Sequence, residues 1–248
     1  MKFSWYSLSL CILPFCSFAS ANVPIPFEAH YQVHSGVFKI GGARYTFEHL
    51  GDDRYTLKFD SEAKLSPLYD RRNITSTFSI VDNQLVPERY IQDRKTFGLG
   101  DDYKEQMVFV ADMQKVHTRY KGIKQSFDYS NMTFDPLAVQ MQFRLGLINQ
   151  TQESEFTYEI LKTQELDTYT LAKRQVEDIE IDAGKFKALR VEVVRDSKKR
   201  QTLMWFATEY DYLPLRISHI ENGFTLIDMQ LTHFISQESA INWNAESK

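Results

Sequence analysis

The chain has 248 residues, a formal charge of -4 at neutral pH and two cysteines, Cys11 and Cys16. Both cysteines fall in an N-terminal leader, so the remainder of the chain has no disulfide, zinc–thiolate site or cysteine nucleophile. Acidic and basic residues are interspersed, and the short basic clusters, Arg71-Arg72 and Lys198-Lys199-Arg200, have acids nearby. The basic footprint of a nucleic-acid-binding protein is therefore missing.

Residues 1–21 read as a cleavable signal peptide. Lys2 supplies the positive start, Leu8 to Phe18 is an apolar run, and Ala19-Ser20-Ala21 is a small-x-small cleavage pattern that makes Asn22 the new N-terminus. The run is about ten residues long, half the ~20 needed to cross a bilayer. Phe15 precedes Cys16 where a lipidation signal requires a small residue, so the mature chain is expected in the periplasm without a lipid anchor. No second long apolar run predicts a membrane-spanning helix. About 225 residues remain, enough to hold a core without cross-links.

From Phe27 onward the pattern is period-two alternation, the mark of half-buried antiparallel strands. Phe27, Ala29, Tyr31 and Val33 face one way, with His30, Gln32 and His34 opposite. Tyr45 and Phe47 come next, then Tyr55, Leu57 and Phe59. Further runs span 73–81, 107–110, 156–161, 168–172, 186–194, 203–206, 215–220 and 224–234. Gly51-Asp52-Asp53, Asp82-Asn83, Ala183-Gly184 and above all Asn222-Gly223 have hairpin-turn chemistry. Pro87 and Pro214 are expected at strand edges or starts.

One segment departs from this pattern. Asp135 as N-cap and Pro136 in the first turn open a helix over about 136–148, with Leu137, Met141, Leu145 and Ile148 at helical spacing. The expected fold class is mainly β: a highly curved antiparallel sheet or partly open β-barrel, with this helix packed on the sheet or across the barrel mouth. Residues 22–238 form one domain, and residues 239–248 a flexible tail.

Five segments, in order, resemble the bacterial exported family known as domain of unknown function 3108 (DUF3108). They are Pro26-Phe27-Glu28-Ala29-His30-Tyr31 with Gly36 and Gly41-Gly42; Leu85-Val86-Pro87-Glu88-Arg89-Tyr90; Thr133-Phe134-Asp135-Pro136-Leu137; 181–190; and Trp205-Phe206-Ala207 leading into Tyr212-Leu213-Pro214-Leu215-Arg216-Ile217. The resemblance implies an exported, β-rich protein, loosely like the envelope lipoprotein carriers in fold. It implies no catalytic residues, and Ala138 stands where the family's helix start usually has Ser.

No constellation in the sequence demands catalysis. His30 and His34 share a strand face but lie roughly 13 Å apart, too far for one zinc. His49, His117, His219 and His233 are isolated, so no metal and no cofactor is expected. There is no GxSxG elbow. Among the acids, Asp101-Asp102, Glu177-Asp178 and Glu209 with Asp211 are the densest groups. The last, on a turn after Trp205-Phe206-Ala207, is the candidate for a carboxylate-dependent hydrolase; the same residues also suit a solvated turn. The aromatics are the remaining signal. Tyr45, Phe47, Phe59, Phe109, Tyr158 and Trp205 are assigned to the lining of a ligand cavity, with an ordinary β core as the alternative. The expected function is non-catalytic binding or carriage of a lipid or other amphiphile of the envelope, with the helix as a lid. A structural or interaction module engaging envelope proteins is the alternative: a cavity under the helix favours the carrier, and a filled interior favours the module.

Overall fold

The computed structural model describes residues 23–149, 152–197, 199–236 and 243–244. The leader and most of the tail lie outside them. A first run of hairpins comprises β1 (Phe27–Ser35), β2 (Phe38–Gly51), β3 (Arg54–Leu65), β4 (Leu68–Val81), β5 (Gln84–Phe97), β6 (Tyr103–Val110), β7 (Lys115–Tyr120) and β8 (Ile123–Asp128). Then come β9 (Thr133–Phe134) and the helix α1 (Ala138–Ile148). A second run comprises β10 (Glu155–Lys162), β11 (Glu165–Ile181), β12 (Gly184–Val194), β13 (Arg200–Ala207), β14 (Leu213–Glu221) and β15 (Phe224–Ser236). Trp243–Asn244 forms β16 on β15, so the segment expected as a free tail contributes a short pairing.

All strands share one sheet, in the order β8-β7-β6-β5-β4-β3-β2-β1-β15-β14-β13-β12-β11-β10-β9. Two meanders thus grow outward from the central pair β1–β15, where Phe27 lies opposite Ser236 and His34 opposite Asp228. The two outermost strands, β8 and β9, are consecutive in the chain, so the sheet curls until its edges approach without pairing. The turns carry the expected chemistry: Asp82 and Asn83 both have positive φ (51° and 63°), as do Asn222 and Gly223 (51° and 81°).

The sheet is mixed, not purely antiparallel: β9 and β10 run parallel, Glu159 opposite Thr133 and Ile160 opposite Phe134. A parallel pair needs a crossover that carries the chain back, and a helix is the usual one. α1 is that crossover, which explains why a meander contains one helix at all. Pro87 sits beside a bulge opposite Phe78, inside β5, while Pro214 is at the start of β14 as expected, beside a bulge opposite Phe206. A bulge breaks the ladder where the missing N–H would otherwise be needed.

Inward-facing side chains form one core: Phe27, Ala29 and Tyr31 from β1, Phe47 from β2, Phe78 from β4, Tyr90 from β5 and Met107 from β6 join α1 and the second meander. Tight coiling brings backbones together at Gly41, where an added Cβ would stand 1.9 Å from the carbonyl oxygen of Glu62. Gly41→Ala is expected to lower stability by about 2–4 kcal/mol in urea titration, whereas Gly36→Ala, at an open turn, should cost only about 1 kcal/mol for its positive φ.

Candidate functional site

Three places could carry function: the interior around α1, the seam where the sheet edges meet, and the outer face.

The interior is occupied by α1. Ala138, Val139, Met141, Phe143, Leu145 and Leu147 are buried, and Phe143 packs edge-on between Phe156 of β10 and Phe206 of β13 at 5.2 and 5.4 Å. Four polar links tie the helix to its surroundings. The Asp135 carboxylate accepts N–H bonds from Leu137 (2.9 Å) and Ala138 (2.8 Å) and the hydroxyl of Ser76 in β4 (2.7 Å). The Tyr45 hydroxyl donates to Gln140 Oε1 at 3.0 Å. The Leu85 N–H donates to Gln142 Oε1 at 2.7 Å. Arg144, only 4 % exposed, donates to the Asp211 carbonyl and lies over the Phe27 ring. Burial lowers its guanidinium pKa to about 10.

The helix lies by the end of the barrel that holds the β4–β5 and β13–β14 turns, and its enclosure there has a chemical basis. Gln140, Gln142 and Arg144 are polar positions that in sequence call for water, but each meets a sheet or turn partner, so the helix can be enclosed without leaving them unpaired. Its regular part starts at Ala138, after a turn at Pro136–Leu137, with Asp135 capping it as expected.

Of the residues assigned to a ligand cavity, Tyr45, Phe47, Phe109 and Tyr158 are buried and Phe59 half-buried. Tyr45 packs on Phe59 and Tyr31, Phe47 on Phe27, Tyr55 and Phe78, Phe109 on Tyr129, and Tyr158 on Phe134. Trp205 is set apart. It too is buried, but a bulge separates it from Phe206, and its partners are of another kind: its Nε1 donates to Glu177 Oε1 (2.7 Å) and Arg216 lies 5.1 Å above the ring. Arg216 in turn donates to buried Asp228, which also accepts from Ser218 and Gln230.

Glu209 and Asp211 are both exposed on the β13–β14 turn, and what Asp211 contributes is its backbone carbonyl to Arg144. His30 pairs with Glu28 at 2.5 Å and its ring stands 5.7 Å from that of His233. Among the described residues no group of three His, Cys, Asp or Glu could hold a metal ion.

The seam contains the residue that sequence reading missed. Glu105 of β6 is fully buried on the face shared with Met107 and Phe109, and its carboxyl accepts the N–H of Thr163 from the β10–β11 turn. Beside it, Gln164 donates to the Thr118 hydroxyl (3.0 Å) and the Ile123 carbonyl (2.9 Å). One hairpin turn of the second meander thus clasps β6, β7 and β8 of the first, joining the arms where no strand pairs. Tyr90 donates to Gln92, and Gln92 to Tyr103, extending the buried polar row. The signal for Glu105 was its register: it alternates in phase with Met107 and Phe109.

Both interior carboxyls bind protons more tightly than usual. Burial raises Glu105 to about 7, against the opposing effect of the Thr163 N–H. Burial raises Asp135 to about 6, against its bonds from Ala138, Ser76 and Leu137. The folded state therefore holds protons that the unfolded chain releases at lower pH. The stability contributed by these groups is complete below the unfolded values near 4 and is lost as pH rises through about 6 to 7. Melting temperature is expected to fall between pH 5 and 8, and Glu105→Gln should flatten that slope. A slope of the opposite sign would refute the assignment. Asp135→Ala removes the cap and leaves Ser76 unpaired, and is expected to cost about 1–3 kcal/mol in denaturant titration.

The outer face carries grooves lined by polar side chains. The largest described, about 780 Å³, crosses β15, β1, β2, β3 and β4. Gly41 and Gly42 leave its floor low, and its walls present Gln32, Arg44, Asp60, Glu62, Arg71 and Asn73. Asp60 accepts from Arg44 (3.2 Å) and Asn73 (2.5 Å), fixing a small hydrogen-bonding platform. A second groove of about 680 Å³ lies beside the β5–β6 and β7–β8 turns.

The family model described as "Protein of unknown function (DUF3108)" matches residues 30–231, and the chain belongs to that family. No curated protein matches it. Among solved structures, it is similar to a beta-barrel-like protein of domain of unknown function DUF1849 from Brucella abortus, with 10% identity, TM-score 0.58, and 88% of this chain and 100% of that one covered. That likeness shows the fold, a barrel-like curled sheet. Two others are a candidate lipoprotein from Parabacteroides distasonis (10% identity, TM-score 0.31, 84% and 95% covered) and immune modulator A of Aeromonas veronii (5%, 0.24, 82% and 74%).

Proposed function

We propose that this DUF3108 protein is an exported, non-catalytic binding module of the cell envelope that works from its outer face. The observation that carries this reading is the occupied interior. α1 is buried, the aromatic side chains expected to line a ligand cavity pack on neighbouring rings, Trp205 excepted, and four polar links hold the helix in place. Recognition then falls to the groove over β1–β4, whose mixed donors and acceptors suit a hydroxyl- or amide-rich ligand such as a saccharide or peptide. Export rests on Lys2, the apolar run after it and Ala19-Ser20-Ala21. Periplasmic residence and cleavage before Asn22 belong to the same proposal. The absence of catalysis is supported by the exposed setting of Glu209 and Asp211 and by burial of Glu105 and Asp135 away from the grooves.

A second reading keeps the carrier of an amphiphile, with α1 swinging out to admit it. What favours it is the polar character of the links holding α1, since hydrogen bonds can be exchanged for water with little net loss. Native mass spectrometry of the mature protein, purified from the periplasm without detergent and then solvent-extracted, separates the two. A mass equal to the bare chain, before and after incubation with envelope lipids, is the expected result. A stoichiometric lipid would overturn the module in favour of the carrier.

A further inference from the structure

The turns of a meander alternate between the two ends of the barrel, and here the ends differ. At one end lie the turns β1–β2, β3–β4, β5–β6, β7–β8, β10–β11, β12–β13 and β14–β15, neighbours through the pairings Gly41–Ala63, Tyr69–Phe97, Glu105–Tyr120, Arg200–Glu221 and His34–Asp228 and through the Gln164–Ile123 bond. This end exposes large apolar side chains on separate hairpins: Val37 (89 %), Phe38 (65 %), Phe97 (65 %) and Phe224 (75 %), with Leu65, Leu99 and Ile123 beside them. Aromatic rings so open to water on several adjacent tips mark an interaction surface.

Charge divides the same way. The apolar end carries Lys39, Lys64, Lys121, Arg195, Lys199 and Arg200, all at least partly exposed. Lys64, Lys121 and Arg200 are paired there with Glu62, Asp101 and Glu221, and Asp102 with Lys95; Asp196 and Glu165 are exposed acids of the same end, and Lys39, Arg195 and Lys199 are exposed cations outside these pairs. The turns of the opposite end carry Asp52, Asp53, Asp82, Asp112, Asp182, Glu209 and Asp211, with few cations. The two ends thus differ in charge mainly because the turns of the opposite end are acidic, whereas the end with the exposed phenylalanines mixes cations and acids and keeps Lys39, Arg195 and Lys199 free to meet an anion.

We infer that this end seats on an anionic phospholipid bilayer, the phenylalanine-bearing tips entering the headgroup layer and the lysines and arginines meeting lipid phosphates. Several points on separate hairpins, spread over one end of a barrel, match a plane and not a groove for a single helix or peptide. Partial burial of each ring adds to electrostatic attraction, the combination that holds peripheral proteins to charged membranes. A second copy fits less well, since it would set cation against cation. No described helix is long and apolar enough to cross the bilayer, and the inferred contact is superficial. It is independent of what the outer groove binds.

The test is flotation of the mature protein with vesicles of phosphatidylcholine alone and with vesicles of equal parts phosphatidylcholine and phosphatidylglycerol. Binding to the anionic vesicles, weakened by salt, is expected. Replacing the three rings together (Phe38→Ser, Phe97→Ser, Phe224→Ser) should weaken binding by roughly tenfold or more. Charge reversal (Lys39→Glu, Lys64→Glu, Lys199→Glu) should do the same. Leu50→Ser with Met113→Ser, likewise exposed but at the acidic end, should change nothing. Should the triple serine variant melt early, the charge reversal alone decides. No flotation, equal flotation with neutral vesicles, or variants that bind like the parent would each overturn the inference; dimerisation through these tips would overturn it in favour of self-association.

Discussion

The structure depends on enclosing a helix inside a sheet. A helix leaves unpaired N–H groups at its start and carbonyls at its end, and an interior offers no water to satisfy them. Asp135 answers the first half by accepting two helix N–H groups while it holds Ser76 of β4. Asn149 answers part of the second, its side chain donating to the Leu145 carbonyl. Once the ends are satisfied, the apolar face of α1 becomes core for both meanders, and the sheet can coil around it. Without the helix the same curvature would enclose empty space.

The second constraint is the seam. A closed barrel removes its edges by pairing them, but here β8 and β9 remain the outermost strands. Glu105 of β6, Thr118 of β7 and the Ile123 carbonyl of β8 are joined instead to the Thr163–Gln164 turn of the second meander. A side-chain clasp is weaker than a ladder and responds to proton concentration, because the Glu105 carboxyl sits where burial disfavours its charge. The interior is thus rigid at the helix and most open to change along one line.

Much of this was legible in sequence where one face is apolar and the other polar. β1, β2 and β3 read cleanly because Phe27, Tyr31, Tyr45, Phe47 and Leu57 alternate with charged or polar neighbours. β7 and β8 did not, since Lys115–Tyr120 turns only Val116 and Thr118 inward and Ile123–Asp128 is exposed almost throughout. β11 was seen only in its first part because a bulge between Lys173 and Val176 resets its alternation. The helix start was recognisable from Asp135-Pro136, but its depth was not. Two glutamines and an arginine within one short helix imply water unless their partners in other elements are known. For the site, the buried aromatic set reads from periodicity, while at Trp205 and Phe206 a bulge interrupts the alternation and leaves both buried. Buried Glu105 escaped notice because a carboxylate in phase with Met107 and Phe109 contradicts the usual polarity of that face.

The central pairing of β1 with β15 has a temporal meaning. Phe27 finds Ser236 only after the whole intervening chain has been made, so the strand synthesised first keeps one edge open until the strand made almost last arrives. Pairing across so long a loop is slow, and the first meander alone has neither the α1 interior nor the Gln164 clasp to settle on. A polypeptide organised in this way resists completing its fold on the ribosome. Its central ladder can form only when both halves of the chain are present.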